Sequence, residues 1–221
     1  MNATFRSLLC LSILLGSPAL AQDAPQAFGT LNIISLISDA APCEVTLAGK
    51  KLNPEGLKTA DITGWFFIPA GSHIMHIQHP TLGEIDGTIE VAQGSTQAIV
   101  IFLHPSKRTQ SAGKPLPPDI RIRRFPAFET PKGFALKAAS MLVEPTRYTI
   151  GPDTFTLQKA KPIDIPKWNG SGFTVAFSDQ PIASIPSSED SGSYYLFLAE
   201  NPDGKHTSAL VSADPIAIPE P

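Results

Sequence analysis

The chain has 221 residues and a formal net charge of −3, with 17 basic residues against 20 acidic ones. This balance excludes a protein that attracts nucleic acid through an overall positive charge. The 22 prolines and 16 glycines leave few stretches for long helices, and this composition is typical of many short strands joined by turns.

Residues 1–21 have the pattern of a secretory signal peptide. Arg6 gives a positive start, an apolar run follows from Leu8 to Leu15, and small residues at Ala19 and Ala21 precede Gln22. The apolar run is too short to span a membrane. We therefore expect an exported protein, periplasmic or extracellular, that has no transmembrane segment once the signal is removed.

The two cysteines bear on the redox chemistry of the mature chain. Cys10 lies in the predicted signal, so Cys43 is left single and no internal disulfide is possible. Cys43, Val45 and Leu47 alternate with polar residues, which predicts that the thiol lies buried on the apolar face of a strand. The alternative is a redox-active or intermolecular thiol.

After a flexible leader at residues 22–28, residues 29–104 are expected to form a first β-sandwich module. Apolar residues recur at strand spacing, and turn residues separate the runs. The run from Gln97 to Leu103 is apolar almost throughout, which predicts a central strand. The predicted strands are residues 31–37, 42–47, 62–68, 73–79, 87–91 and 97–103.

A Pro-rich, basic segment at residues 105–119 interrupts this rhythm and is predicted to be an extended linker. A second β-sandwich module is expected over residues 120–213, followed by a Pro-rich tail at 214–221. Its predicted strands are residues 120–123, 134–143, 147–150, 155–157, 172–177, 193–199 and 206–211.

The two halves show the same order of features. The stretch from Thr30 to Ser35 is similar to that from Ala135 to Ser140, and Trp65 is matched with Trp168. The offset between matched features drifts slowly, as small loop deletions would produce. We therefore predict an all-β protein of two tandem immunoglobulin-like antiparallel β-sandwiches.

The first half also resembles known families. The stretch from Leu31 to Leu52 is similar to the opening of the DUF4397 family, and Ile68-Pro69-Ala70-Gly71-Ser72-His73 resembles both that family and the PEGA domain, although the turn lacks an acidic residue. The resemblance covers residues 29–104. It implies an exported, surface-associated bacterial β-sandwich and supplies no catalytic residues.

The two tryptophans suggest one possible ligand site. An exposed indole at Trp168 or Trp65, with Asn169 as a polar neighbour, would offer a platform on which a sugar ring stacks. The alternative is that both side chains pack against the strands of their modules.

A second candidate is a basic patch across the predicted linker, formed by Lys107, Arg108, Lys114, Arg121, Arg123 and Arg124. Such a patch would contact an acidic polysaccharide, a lipid phosphate or a partner protein. The alternative is a solvated linker with a charged edge strand that resists aggregation.

Metal and catalytic chemistry find little support. His73, His76 and His79 would share a face on a helix, but on a strand His76 points away from the other two, so we expect no metal site. Gly170-Ser171-Gly172 lacks the spacing of a nucleophile elbow, and His206 stands apart from other catalytic residue types. We expect no catalytic residue and no cofactor.

The sequence therefore predicts an exported, non-enzymatic binding or scaffold protein of the cell envelope or extracellular space. Its expected partners are an envelope protein or a polysaccharide, and the oligomeric state stays open. One alternative is a carbohydrate-binding protein that uses an exposed tryptophan. Another is an enzyme whose site lies between the modules.

Overall fold

The computed structural model describes residues 27–37, 39, 41–104, 118–129, 132–201 and 204–214. The predicted signal peptide and most of the leader, linker and tail therefore lie outside the described residues. The described part is all-β and contains no helix.

Sixteen strands are present in the described residues. The first eight are β1 (Phe28–Ser35), β2 (Glu44–Leu47), β3 (Lys50–Lys51), β4 (Phe66–Pro69), β5 (Gly71–His79), β6 (Gly83–Val91), β7 (Thr96–His104) and β8 (Asp119–Pro126). The second eight are β9 (Phe134–Ser140), β10 (Thr146–Ile150), β11 (Asp153–Leu157), β12 (Ile163–Ile165), β13 (Phe173–Phe177), β14 (Gln180–Ile185), β15 (Gly192–Glu200) and β16 (His206–Ser212).

The two sets of eight strands have the same topology. Module 1 consists of the sheets β4-β1-β7-β8 and β3-β2-β5-β6, and module 2 of the sheets β12-β9-β15-β16 and β11-β10-β13-β14. Each sheet of module 2 repeats the strand order of its counterpart, eight strands later. The prediction of two tandem β-sandwich modules is thus confirmed. One detail differs, because β1 with β7 and β9 with β15 pair in parallel.

The burial pattern of each strand shows whether the strand lies in an outer or an inner sheet. On β5 the buried Met75 and Ile77 alternate with Ile74, which is 66% exposed, so this outer sheet has one face in water. On β1 the adjacent Ile33 and Ile34 are both fully buried. Strands that are covered on both faces need continuous apolar runs, and the run of β7 is confirmed as such a central strand.

The four sheets form a stack of four layers with three apolar cores. One core lies inside module 1 and one inside module 2. The third, which we call the inter-module core, lies between the two inner sheets. It contains Ile34, Leu36, Ala98, Val100, Phe102, Phe125, Ala139, Met141, Tyr195, Phe197, Ala199, Ala209, Val211 and Ala213. The modules are therefore fused face to face.

The strand that was expected to open module 2 belongs to module 1. Strand β8 pairs antiparallel with β7, from Gln97 opposite Pro126 to His104 opposite Asp119. Ile120 is buried in the core of module 1. The Pro-rich segment thus connects two neighbouring strands of one sheet, and the chain passes between modules after Pro126. The predicted boundary at residue 120 is corrected accordingly.

Backbone contacts fix which residues of the two modules correspond. The N–H of Ala60 donates to the carbonyl of Ser35 at 2.7 Å, and the N–H of Ala160 donates to that of Ser140 at 2.7 Å. Both alanines have a positive φ, 62° and 50°. Ser35 and Ser140 are therefore equivalent, as the sequence comparison predicted.

The same register separates the two tryptophans. Leu31 and Leu136, four residues before the equivalent serines, lie opposite Phe66 and Ile165. Trp65 lies one position before Phe66, whereas Trp168 lies three positions after Ile165. The predicted match between them is therefore corrected: they occupy different places in their modules.

Candidate functional site

Trp168 packs at the border of the module 2 core. It is half-buried, and its ring meets those of Phe134, Phe173 and Tyr194 edge-on at centroid distances of 5.4, 6.2 and 5.2 Å. Its indole N–H donates to the carbonyl of Ser171 at 2.9 Å. These contacts are those of a packing residue, which was the alternative to the sugar platform.

Asn169 is exposed but its side chain has a local role. Its Oδ1 accepts from the backbone N–H of Ser171 at 3.1 Å and from the Ser171 hydroxyl at 2.6 Å. This arrangement is an Asx turn, which shapes the loop after Trp168. The acceptor that a bound sugar would use is thus already engaged.

Trp65 lies in a different setting, just before the edge strand β4. It is half-buried and has no hydrogen bond or ring contact with a described residue. Two of the exposed large hydrophobic side chains are close in sequence, Ile62 at 40% and Phe67 at 49% exposure. Trp65 lies outside β4, two positions before the exposed Phe67, whereas Ile68 of β4 is buried.

The basic patch is only partly within the described residues, since Lys107, Arg108 and Lys114 lie outside them. Arg121, Arg123 and Arg124 are exposed on β8, which is an edge strand paired only with β7. Alternation places Arg121 and Arg123 on the face towards module 2, together with the buried Phe125. Arg124 points to the opposite face.

Between the modules, a cleft of about 340 Å³ collects basic side chains from both. Module 1 contributes Arg121 and Arg123 from β8 and His104 from the end of β7, and module 2 contributes Lys159. The remaining lining residues are Phe102, Ile122 and Ala160. We call this space the basic cleft.

One ion pair with a carboxylate lies at the rim of the basic cleft. Arg121 pairs with Asp119 at 2.9 Å, but both side chains are about half exposed, so water screens the pair. Arg123 has no ion pair with a described residue. A hollow on the other side of β8 is lined by Ile122, Arg123 and Arg124, together with Thr88 and Ile89 of β6. The positive surface therefore continues around β8 to Arg124.

The three histidines of β5 are held apart, as the strand prediction required. His76 lies on the outer face, with Nδ1 2.7 Å from an oxygen of Asp86. His73 contacts the carbonyl of Pro69 at 2.6 Å through Nε2, and His79 is buried against the carbonyl of Ala41 at 3.1 Å. Among the described residues, no group of three or more His, Cys, Asp or Glu side chains could hold a metal ion.

Cys43 occupies the position that the alternating pattern predicted. It is fully buried in the core of module 1. Burial, with a smaller contribution from the charge of Glu44, raises the pKa of the thiol to about 12. The thiolate is therefore suppressed at neutral pH, which makes the side chain unreactive in the folded protein.

A buried polar cluster in module 2 escaped the sequence analysis. The hydroxyl of the fully buried Tyr148 lies 2.9 Å from Nδ1 of His206, and the His206 ring lies 3.9 Å from that of Phe177. Burial raises the pKa of Tyr148, against a hydrogen bond from Ser140. Burial lowers the pKa of His206, although the charge of Glu200 acts in the opposite direction.

The sequence signal for this cluster was weak, because Tyr148 and His206 are separated by 58 residues. β10 and β16 belong to the two different sheets of module 2, so it is the packing of these sheets that brings the residues together. Ser140 is fully buried, so a substrate has no access to its hydroxyl. The cluster fastens β10 to the start of β16.

Comparison with models of known protein families gives no match, and comparison with curated proteins gives none either. The resemblance of residues 29–104 to the DUF4397 and PEGA families therefore stays a prediction. No helix with the length and apolar character of a membrane span occurs within the described residues.

Proposed function

We propose that the protein is an exported, non-enzymatic binding protein of the cell envelope, and that it binds through the basic cleft. The observation that carries this proposal is the placement of charge. A chain with a net charge of −3 brings basic side chains of two modules to one hollow. Charges of the same sign that are concentrated in a concave site strengthen the attraction for an oppositely charged ligand.

The chemistry of the basic cleft favours binding over catalysis. Residues of both modules converge there, as the enzyme alternative requires. However, Arg121 and Arg123 contribute guanidinium groups and Lys159 an ammonium group, and such groups orient and neutralise anions. The export part of the proposal is supported by the pattern of residues 1–21.

The proposal is tested by following the full-length protein in a bacterial host with a C-terminal tag. We expect the recovered protein to begin at Gln22 by mass spectrometry and to fractionate outside the cytoplasm. Replacement of Leu11 and Leu14 by Arg in the apolar run should keep the precursor intact and cytoplasmic. An unprocessed, cytoplasmic wild-type protein would refute export.

A carbohydrate-binding function is a second candidate, supported by the exposed apolar strip around Trp65. Stacking of a sugar ring on an indole changes its fluorescence. In Trp168→Phe the single remaining tryptophan is Trp65, and a neutral glycan should quench its emission. In Trp65→Phe, where only Trp168 remains, no quenching is expected. Quenching in neither variant across a panel of neutral glycans would reject this candidate.

A further inference from the structure

We infer that the ligand of the basic cleft is a carboxylate-bearing polysaccharide. This inference rests on the proposed function and adds the chemical class of the ligand to it. Three features of the described residues carry it: the spacing of the cations, the apolar lining of the cleft, and the position of the exposed large hydrophobic side chains.

The spacing suits a polymer with charges at regular intervals. Arg121 and Arg123 are two positions apart on β8, so their side chains leave the same face about 7 Å from each other. Lys159 faces them from module 2. A chain that runs along β8 would meet successive guanidinium groups on one side and an ammonium group on the other.

The side-chain types suit carboxylates. The planar guanidinium group donates two parallel hydrogen bonds to a carboxylate, which gives directional binding that a point charge does not. The lining also includes Ile122 and Ala160, which are partly exposed and whose apolar surface can contact the C–H face of a sugar ring. Cations combined with an apolar surface are what an acidic sugar requires.

The surroundings of the basic cleft disfavour a lipid surface as the ligand. A membrane-binding patch combines basic residues with protruding apolar ones. Among the described residues, the exposed large hydrophobic side chains are Ile62, Phe67 and Ile74, and they lie on or beside β4 and β5 rather than β8.

The experiment compares two forms of one polymer. Polygalacturonate carries a carboxylate on every sugar, and its fully methyl-esterified form has the same backbone without the charge. We expect the processed protein to bind polygalacturonate in isothermal titration calorimetry, with an affinity that falls as salt increases. The methyl ester should not bind. Equal binding of both forms would overturn the inference.

Matched variants separate the basic cleft from the net charge. Arg121→Gln, Arg123→Gln and Lys159→Gln together should weaken binding at least about tenfold. The control variant removes three exposed cations of the outer strands and loops, Lys50→Gln, Lys58→Gln and Arg147→Gln. Because its net charge is the same, its affinity should stay within about twofold of the wild type. Equal losses in both variants would overturn the assignment to the cleft.

Further arms address folding and competing ligands. The double variant Arg121→Gln, Arg123→Gln leaves Lys159 in place, and it should keep the wild-type melting temperature while binding several-fold more weakly. Tighter binding to phosphatidylglycerol vesicles or to single-stranded DNA than to polygalacturonate would overturn the inferred ligand class. If the protein is processed and exported but does not bind polygalacturonate, this inference alone is refuted. If the protein stays unprocessed in the cytoplasm, the proposed function is refuted.

Discussion

Removal of one ring from the inter-module core should unfold both modules more easily. Phe197 on β15 is fully buried, and its ring lies 4.8 Å from that of Phe125 and 5.1 Å from that of Tyr195. Phe→Ala changes at such sites cost about 3–5 kcal/mol, from lost burial and the cavity left behind. This is a large part of the roughly 5–15 kcal/mol that stabilises a typical protein.

The position of the tryptophans allows each module to be followed separately. Trp168→Phe leaves Trp65 as the reporter of module 1, and Trp65→Phe leaves Trp168 as the reporter of module 2. In urea, both reporters should give one coincident transition, because each inner sheet needs the other to cover its second face. With a urea dependence of about 2 kcal/mol/M, Phe197→Ala should lower both midpoints by about 2 M.

A second variant tests whether the core of module 2 unfolds together with the inter-module core. Leu196 precedes Phe197 on β15, is fully buried, and points into module 2. If the modules unfold as one unit, Leu196→Ala should also shift both reporters together. Two separate transitions in the wild type, with Phe197→Ala or Leu196→Ala moving only the Trp168 reporter, would refute the reasoning.

Three further predictions follow from single sites. Because burial lowers the pKa of His206 in the folded state, against the opposing charge of Glu200, the unfolded chain binds its proton more readily. Stability should therefore decrease as pH falls below about 6.5 and level off below the folded-state pKa, and His206→Gln should flatten this slope in pH-dependent urea titrations. Cys43 should not react with a thiol reagent until the protein is unfolded, and fast labelling of the native state would contradict its burial. Gly29→Ala should destabilise the protein by about 1–3 kcal/mol in thermal unfolding, since its new Cβ would collide with Val91 and with the backbone carbonyl of Ala92, while no effect would contradict the close approach of β1 to the end of β6.

Alternation of apolar and polar residues predicted most of the strands, because a strand that is buried on one face has an apolar residue at every second position. The outer strand β5 and the alternating Cys43, Val45 and Leu47 were identified in this way, and the structure bears both out. The strands that were missed, β3, β12 and β14, are short or carry few buried residues. Their positions depend on pairing with neighbours, which a local pattern does not encode.

The boundary between the modules could not be derived from local composition. A Pro-rich, charged segment has the same signature whether it joins two domains or two strands of one sheet. Ile120 and Ile122 supply the deciding contact, since they face the core of module 1. Likewise, Arg121 and Arg123 were identifiable as basic residues, but Lys159 joins them only through packing of the two inner sheets.

The stability of the stack and the shape of the basic cleft have a common origin. Phe102 lies both in the inter-module core and in the lining of the cleft. The apolar contacts that fuse the modules thus also hold Lys159 at a fixed place relative to β8. A site whose walls are fixed before binding loses less conformational entropy when the ligand arrives. If the modules were joined only by a flexible linker, the same cations would have to be ordered by the ligand, and the affinity would be lower for an equal number of contacts.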